Sequence, residues 1–192
     1  MKRARTISIL TAVFGLMALP QIKAAEPTAY DLVKEGNRYI GEQSKDKVVE
    51  IRSEKSVGTL TPNIWYIVYY DPDATLKATE VKFGAGKKLK VSRPLRVLEP
   101  ITGDNKTLDR SKLKVDSDKA IKVATSEELL KSLTLKSTQL WLQRDDEGPV
   151  WKVRVWAAKL KKPNEDVNVG DIFVSAETGK AIRTDLHIDR VD

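Results

Sequence analysis

The chain has 192 residues, no cysteine, one histidine and a formal net charge of +7. Without cysteine there is no disulfide framework, so a chain of this length has to be held together by side-chain packing. A cysteine nucleophile is excluded, and a zinc site is disfavoured because such sites usually need several Cys or His ligands, whereas His187 is alone.

The first 24 residues have the three parts of a secretory signal peptide. A basic start is followed by an apolar stretch over 7–19 and then by the small residues Ala24 and Ala25. The apolar stretch is shorter than the roughly 20 residues that span a bilayer as a helix, although a retained membrane anchor is the alternative. We predict cleavage after Ala24, or else after Ala25. The mature chain is then expected to be soluble and exported to the periplasm or the medium, with no further membrane span.

Removal of this segment changes the charge of the protein. The segment contains four cations and no acid, so the mature chain carries only about +3 of the original +7; the four cations are Lys2, Arg3, Arg5 and Lys23. Such a balance is typical of an ordinary protein surface. Together with export, it argues against a nucleic-acid partner.

Between residues 28 and 98 the pattern predicts one helix followed by four strands. Leu32, Gly36 and Ile40 recur at helical spacing, and the segment from Ile64 to Tyr70 is β-branched or aromatic almost throughout. Gly84-Ala85-Gly86 indicates a hairpin turn. The predicted elements are a helix over 29–43 and strands over 47–54, 64–70, 79–83 and 88–93.

The same order of elements returns after residue 116. Asp116 or Ser117 can cap a helix that extends, after a break, to Leu133. Trp65 of the first half aligns with Trp151 of the second. Two tandem repeats are the simplest account, with chance similarity of amphipathic strands as the alternative. The predicted strands cover 139–143, 150–157, 169–175 and 180–188, and the predicted domains are 28–98, a polar connector over 99–116, and 117–192.

The second repeat resembles the PepSY domain. The resemblance lies in the helix over 118–124, in Trp151-Lys-Val-Arg-Val, and in the turn Ala176-x-Thr178-Gly179; Ser175 stands where that family usually has aspartate. The resemblance implies an α+β fold of two tandem repeats, each a helix packed on a small antiparallel sheet, as in PepSY and cystatin-like domains. It also implies an accessory role outside the cytoplasm, in protease propeptides or as a regulatory or sensing module, rather than catalysis.

The residues contain no recognisable catalytic pattern. There is no Gly-x-Ser-x-Gly elbow, and Gly84-Ala85-Gly86-Lys87 lacks the rest of a phosphate loop. Calcium could use Asp71-x-Asp73 or Asp145-Asp146-Glu147, but both segments are explained as turns and neither continues into an EF-hand spacing. We therefore predict a protein that is not an enzyme and needs no cofactor or metal.

The strand over 150–157 indicates a candidate partner-binding face. Strand alternation places Trp151 on one side and Lys152, Arg154 and Trp156 on the other. An aromatic residue beside two cations on an uncovered face is typical of a contact surface. The alternative is that Trp156 packs against the first repeat.

These observations predict an exported, non-catalytic PepSY-like module that binds a protein or an anionic cell-envelope component, with a regulatory role as one form of this activity. A basic cluster over 82–96 is consistent with an anionic partner or with a solvated strand face. The alternatives are a small-ligand carrier with a pocket between helix and sheet, and a peptidase inhibitor by analogy with PepSY-containing propeptides. The sequence does not indicate the oligomeric state.

Overall fold

The computed structural model describes residues 26–94, 106–146 and 148–192. The predicted signal peptide, part of the predicted connector and Glu147 lie outside the described residues. The helices are α1 (Ala29–Gly36) and α2 (Ser117–Thr125). The strands are β1 (Val48–Ser53), β2 (Ile64–Tyr70), β3 (Ala78–Gly84), β4 (Lys87–Ser92), β5 (Leu135–Asp145), β6 (Gly148–Ala158), β7 (Asp166–Ser175) and β8 (Ala181–Leu186).

All eight strands form one antiparallel sheet in the order β4-β3-β2-β1-β5-β6-β7-β8. Each half of the chain forms a four-stranded meander, and the two meanders meet where β1 pairs with β5. The predicted fold class, two units each with a helix on its own small sheet, is therefore wrong, because one continuous sheet dominates the molecule. The physical reason is that a four-stranded meander leaves backbone groups unpaired along its first strand, and here the two first strands pair with each other.

Side chains extend the pairing between β1 and β5. The backbone register places Arg52 opposite Trp141. One residue further along β1, the Ser53 hydroxyl accepts a hydrogen bond of 2.9 Å from the backbone N–H of Leu140. A serine oxygen thus replaces a strand carbonyl, so the buried N–H at this junction is satisfied where regular pairing ends.

The helices are shorter than the sequence predicts. The first was expected over 29–43 but ends at Gly36, and two 3₁₀ turns follow it. Tyr69 packs closely against the C-terminal end of α1. Its hydroxyl donates to the Val33 carbonyl at 2.9 Å. A Cβ added at Gly36 would lie 2.1 Å from the Tyr69 hydroxyl oxygen. The extension of the second helix to Leu133 is also wrong, since only a 3₁₀ turn over Glu128–Leu130 follows α2.

The core lies on the face of the sheet that both helices cover. Leu32 of α1 and Ile121 of α2 belong to the same buried cluster as Ile67, Trp151 and Val153 of the sheet. We call the opposite side of the sheet the open face, because no helix in the described ranges packs on it. Among the helices of the described residues, none is both long and apolar enough to cross a membrane.

The N-termini of the two helices meet at one carboxylate. Asp116 is the N-cap of α2 and accepts the N–H of Ser117 at 2.6 Å. Its carboxylate also accepts the N–H of Tyr30, in the first turn of α1, at 3.1 Å, and the Ser117 hydroxyl accepts the N–H of Ala29 at 3.0 Å. Burial raises the pKa of the Asp116 carboxyl, and the hydrogen bonds it accepts offset this only in part. One side chain thus satisfies the first turns of both helices.

Candidate binding face

A single row of side chains crosses the open face from one edge of the sheet to the other. Cross-strand register defines it, since each member lies directly opposite the next on the neighbouring strand. We call this row the ladder. From β4 to β8 it consists of Lys90, Lys82, Tyr66, Arg52, Trp141, Lys152, Phe173 and Arg183.

Cations and aromatic rings alternate along the ladder from Lys82 onward. The Arg52 guanidinium carbon lies 4.0 Å from the centroid of the Tyr66 ring, and the Lys82 ammonium lies 4.8 Å from it. Phe173 is approached in the same way, by Arg183 at 3.7 Å and by Lys152 at 5.8 Å. Each of these two rings is thus contacted by cations from both neighbouring strands, and Tyr66 remains partly exposed whereas Phe173 is only 9% exposed.

Carboxylates lie beside the ladder cations. The Arg52 Nε atom lies 3.1 Å from the Glu50 carboxylate, and its guanidinium also pairs with Glu80. The side chain of Arg52 is 31% exposed, against 15% for Glu50 and 10% for Glu80. At Arg52 the more exposed charge is therefore positive, whereas at Lys82 the carboxylate partner Glu54 is the more exposed group, at 48% against 30%.

In the second half of the sheet, Asp171 of β7 is the carboxylate that pairs with basic side chains of the open face. Arg154 Nε lies 2.8 Å from its carboxylate and Lys152 Nζ lies 3.0 Å from it. Burial by itself would raise the pKa of Asp171, but hydrogen bonds and attraction from Arg154 and Lys152 outweigh it and leave the pKa below its usual range. The ionised carboxylate is thus the form that the folded protein favours.

Changing Asp171 to asparagine is expected to lower the free energy of unfolding at pH 7 by about 1–2 kcal/mol, because charge-assisted hydrogen bonds are lost. A depressed folded-state pKa contributes stability above the unfolded value of about 3.9, and this contribution is lost as the pH falls further. The difference in the free energy of unfolding between the wild type and Asp171→Asn should therefore be constant above about pH 5 and shrink below about pH 4. Urea unfolding from pH 7 to pH 3 measures it.

Asp185→Asn is the matched control for this prediction, because Asp185 lies opposite Asp171 on β8 but is 66% exposed. We expect this variant to change stability little at any pH in the range. Equal pH dependence in the two variants would contradict the role assigned to Asp171.

The three residues that the sequence singled out, Lys152, Arg154 and Trp156, all belong to β6 and lie on the open face. Lys152 and Arg154 lie together beside Trp141, with their charged groups 5.7 Å and 5.2 Å from the centroid of its ring. Trp156 is separate from this group.

The neighbour of Trp156 comes from the first half of the chain. The ammonium group of Lys55 lies 4.9 Å from the Trp156 ring and 2.7 Å from the Asp166 carboxylate. Trp156 is partly exposed and contacts the segment that follows β1. Its share in a partner-binding face therefore stays a proposal.

Sequence reasoning missed most of the ladder. Tyr66, Arg52, Phe173 and Arg183 were not recognised as parts of one site, because they come from four strands. Alternation within each strand was the available signal, since it shows which side chains share a side. It does not show which residues of different strands lie opposite each other.

Two further groups considered from the sequence are His187 and the acidic turn at Asp71. His187 follows β8, is 49% exposed and lies 3.3 Å from Asp185. Asp71 accepts hydrogen bonds from the Thr79 hydroxyl at 2.6 Å and from the N–H of Asp73 at 3.0 Å, as expected for a turn. Within residues 26–94, 106–146 and 148–192, no three His, Cys, Asp or Glu side chains are grouped so that they could hold a metal ion.

Comparison with known proteins gives a weak likeness to one solved structure. No family model matches the chain, and no curated protein matches it. Among solved structures, the Bacillus megaterium YpeB C-terminal domain aligns with 86% of this chain and 68% of its own, at 14% identity and a TM-score of 0.27. The PepSY resemblance rests on the sequence motif and stays a prediction.

Proposed function

We propose that this chain is an exported, non-catalytic binding module that contacts a protein partner, in the cell envelope or outside it, through the open face. The observation that carries the proposal is the ladder, in which rings and guanidinium groups are ordered across the whole sheet. Tyrosine, tryptophan, phenylalanine and arginine are the residues enriched in protein interfaces.

The size of the open face fits such a contact. Eight strands spaced about 4.8 Å apart give a width of roughly 35 Å. The strands have 6 to 11 residues, about eight on average, and a rise of about 3.3 Å per residue gives a length of roughly 26 Å. The resulting area of roughly 900 Å² is close to the ~800 Å² that each partner contributes to a standard protein interface.

The proposal has two further parts: the chain does not catalyse a reaction, and it has a regulatory role. The PepSY resemblance of the second half supports both. No comparable observation supports either of the two alternative functions, the small-ligand carrier and the peptidase inhibitor. A small-ligand carrier would need space between helices and sheet, but Leu32, Ile121 and Trp151 fill this region as part of one apolar cluster. A peptidase inhibitor would rest on fold analogy alone.

Photo-crosslinking in the native host tests the proposed function. A photoreactive phenylalanine analogue at Tyr66 or Trp141 should form covalent adducts with a partner protein on irradiation. The matched control is the same analogue at Val57, which is 86% exposed in the loop between β1 and β2 and lies outside the ladder. Adducts from the ladder positions and none from Val57 are expected. Absence of adducts from both ladder positions, or equal yields at Val57, would overturn the proposal.

A further inference from the structure

We propose that the ladder binds an extended acidic peptide in the polyproline II conformation, which lies across the strands and carries a carboxylate at every third residue. This inference rests on the proposed function of the open face and names the chemistry of its partner. Three features of the ladder carry it: the spacing of its cations, the exposure of its charges, and its narrow width.

The first feature is spacing. Lys82, Arg52, Lys152 and Arg183 lie on β3, β1, β6 and β8, which are every second strand of the sheet. Neighbouring strands are about 4.7–4.9 Å apart, so the backbone positions that carry these four cations are separated by about 9.4–9.8 Å. A polyproline II helix has three residues per turn and rises about 3.1 Å per residue, so side chains on one side repeat every ~9.3 Å. The two periods match for these backbone positions, and at Tyr66 the charged groups of Lys82 and Arg52 lean towards the ring between them.

The second feature is the exposure of charge. At Arg52 and at Lys152 the basic group is about twice as exposed as its carboxylate partners, at 31% and 27% against 10–15%. At the two ends of the ladder, Lys90 and Arg183 have no carboxylate within ion-pair distance among the described residues, and both side chains are exposed. Lys82 differs, because its side chain is 30% exposed and that of its partner Glu54 is 48% exposed. At Arg52, at Lys152 and at the two ends of the ladder, carboxylates of a partner would meet cations that need little rearrangement.

Aromatic rings occupy the intervals between the cations. Tyr66, Trp141 and Phe173 lie on β2, β5 and β7, the strands between those that carry the cations. Tyr66 and Trp141, which are partly exposed, would contact the residues between successive carboxylates of the peptide. Proline fits there, because polyproline II segments dock on aromatic surfaces with little loss of conformational entropy.

The third feature is width. The ladder cations form one row, with Glu50 and Glu80 on one side of it and Asp171 with its partner Arg154 on the other. A broad anionic surface, such as a lipid bilayer, would also meet the exposed carboxylate of Glu54, whose side chain is 48% exposed beside Lys82, and be repelled. A single extended chain meets only the row, and for this reason we favour a peptide.

Synthetic peptides test the inference with the mature protein. The probe is a blocked peptide of four Glu-Pro-Pro repeats, which is about 37 Å long in polyproline II and spans the ladder. The control peptide has the same composition and charge, but its four glutamates are consecutive and flanked by four prolines on each side. Calorimetric titration at low salt is expected to show micromolar binding of the repeat peptide, at least tenfold weaker binding of the control, and none of the analogue with lysine in place of glutamate.

A pair of charge reversals locates the binding. Arg183→Glu removes an exposed cation of the ladder and should weaken binding of the Glu-Pro-Pro repeat peptide at least fivefold. Lys180→Glu makes the same charge change in the exposed turn before β8, outside the ladder, and should leave the affinity within twofold. Equal effects of the two reversals would show a general charge effect and overturn the inference.

The remaining outcomes separate this inference from the proposed function. Equal affinity for the two glutamate peptides, or no binding of either, overturns the acidic polyproline II partner. If Trp141 still forms crosslinks in cells, the open face remains a binding surface for another kind of partner. Preferential binding of anionic lipid vesicles over the peptides, with loss of binding in Arg183→Glu, would overturn the inference in favour of a membrane.

Discussion

Replacing Trp151 by alanine is expected to lower the free energy of unfolding by about 3–5 kcal/mol, the range for removal of a large buried aromatic side chain. Trp151 is fully buried in β6, and its ring stacks on that of Tyr30 at 6.1 Å. Its indole N–H donates to the Val115 carbonyl at 2.8 Å, and the Tyr30 hydroxyl donates to the same carbonyl at 2.8 Å. The substitution therefore leaves a cavity where α1, the segment before α2 and the sheet meet.

Urea unfolding followed by far-ultraviolet circular dichroism measures this loss without relying on tryptophan fluorescence. Trp156→Ala is the matched control, because it removes the same side chain from the same strand but from the open face, where it is partly exposed. We expect Trp156→Ala to lower the free energy of unfolding by less than about 1.5 kcal/mol. Equal losses for the two variants would contradict the assignment of opposite faces. Trp151→Phe should fall between them, because it keeps a ring and loses the hydrogen bond.

Replacing Asp116 by alanine is expected to lower the free energy of unfolding by about 2–3 kcal/mol, more than the ~1 kcal/mol typical of a single N-cap. The reason is that the carboxylate accepts the N–H groups of Ser117 and Tyr30, from the first turns of two different helices. Both donors would lose their partner in a partly buried place. Chemical denaturation at pH 7 measures the effect.

Two variants separate capping from charge at this position. Asp116→Asn keeps a carbonyl acceptor, and since burial already disfavours the ionised carboxyl, it should lose less than half as much stability as the alanine variant. Asp118→Ala removes a nearby exposed acid from the first turn of α2 and should change stability by less than about 0.5 kcal/mol. If Asp118→Ala lowers the free energy of unfolding as much as Asp116→Ala does, then the interaction of negative charge with the helix dipole, and not the shared cap, stabilises this region.

The sequence predicts more of the local structure than of the site. The strand over 64–70 has the bounds that its β-branched and aromatic residues predict, and α2 begins at Ser117, after its Asp116 cap. The helix predicted over 29–43 was too long, because apolar spacing continues past Gly36 although the backbone there changes to 3₁₀ turns. Helical periodicity shows which residues can share a face but does not exclude shorter turns that bury the same side chains.

By itself, the sequence determined which side chains of β6 share a face, namely Lys152, Arg154 and Trp156 opposite Trp151, whereas in β1 a register shift separates Val49 from Ile51. Alternation follows from the pleat of the backbone, which is local, so it can be read from a few consecutive residues. The tertiary structure alone decided that β1 pairs with β5, and therefore that Arg52 lies opposite Trp141. That register joins segments some 90 residues apart and depends on the packing of the whole core, so the ladder exists only once the two halves share one sheet.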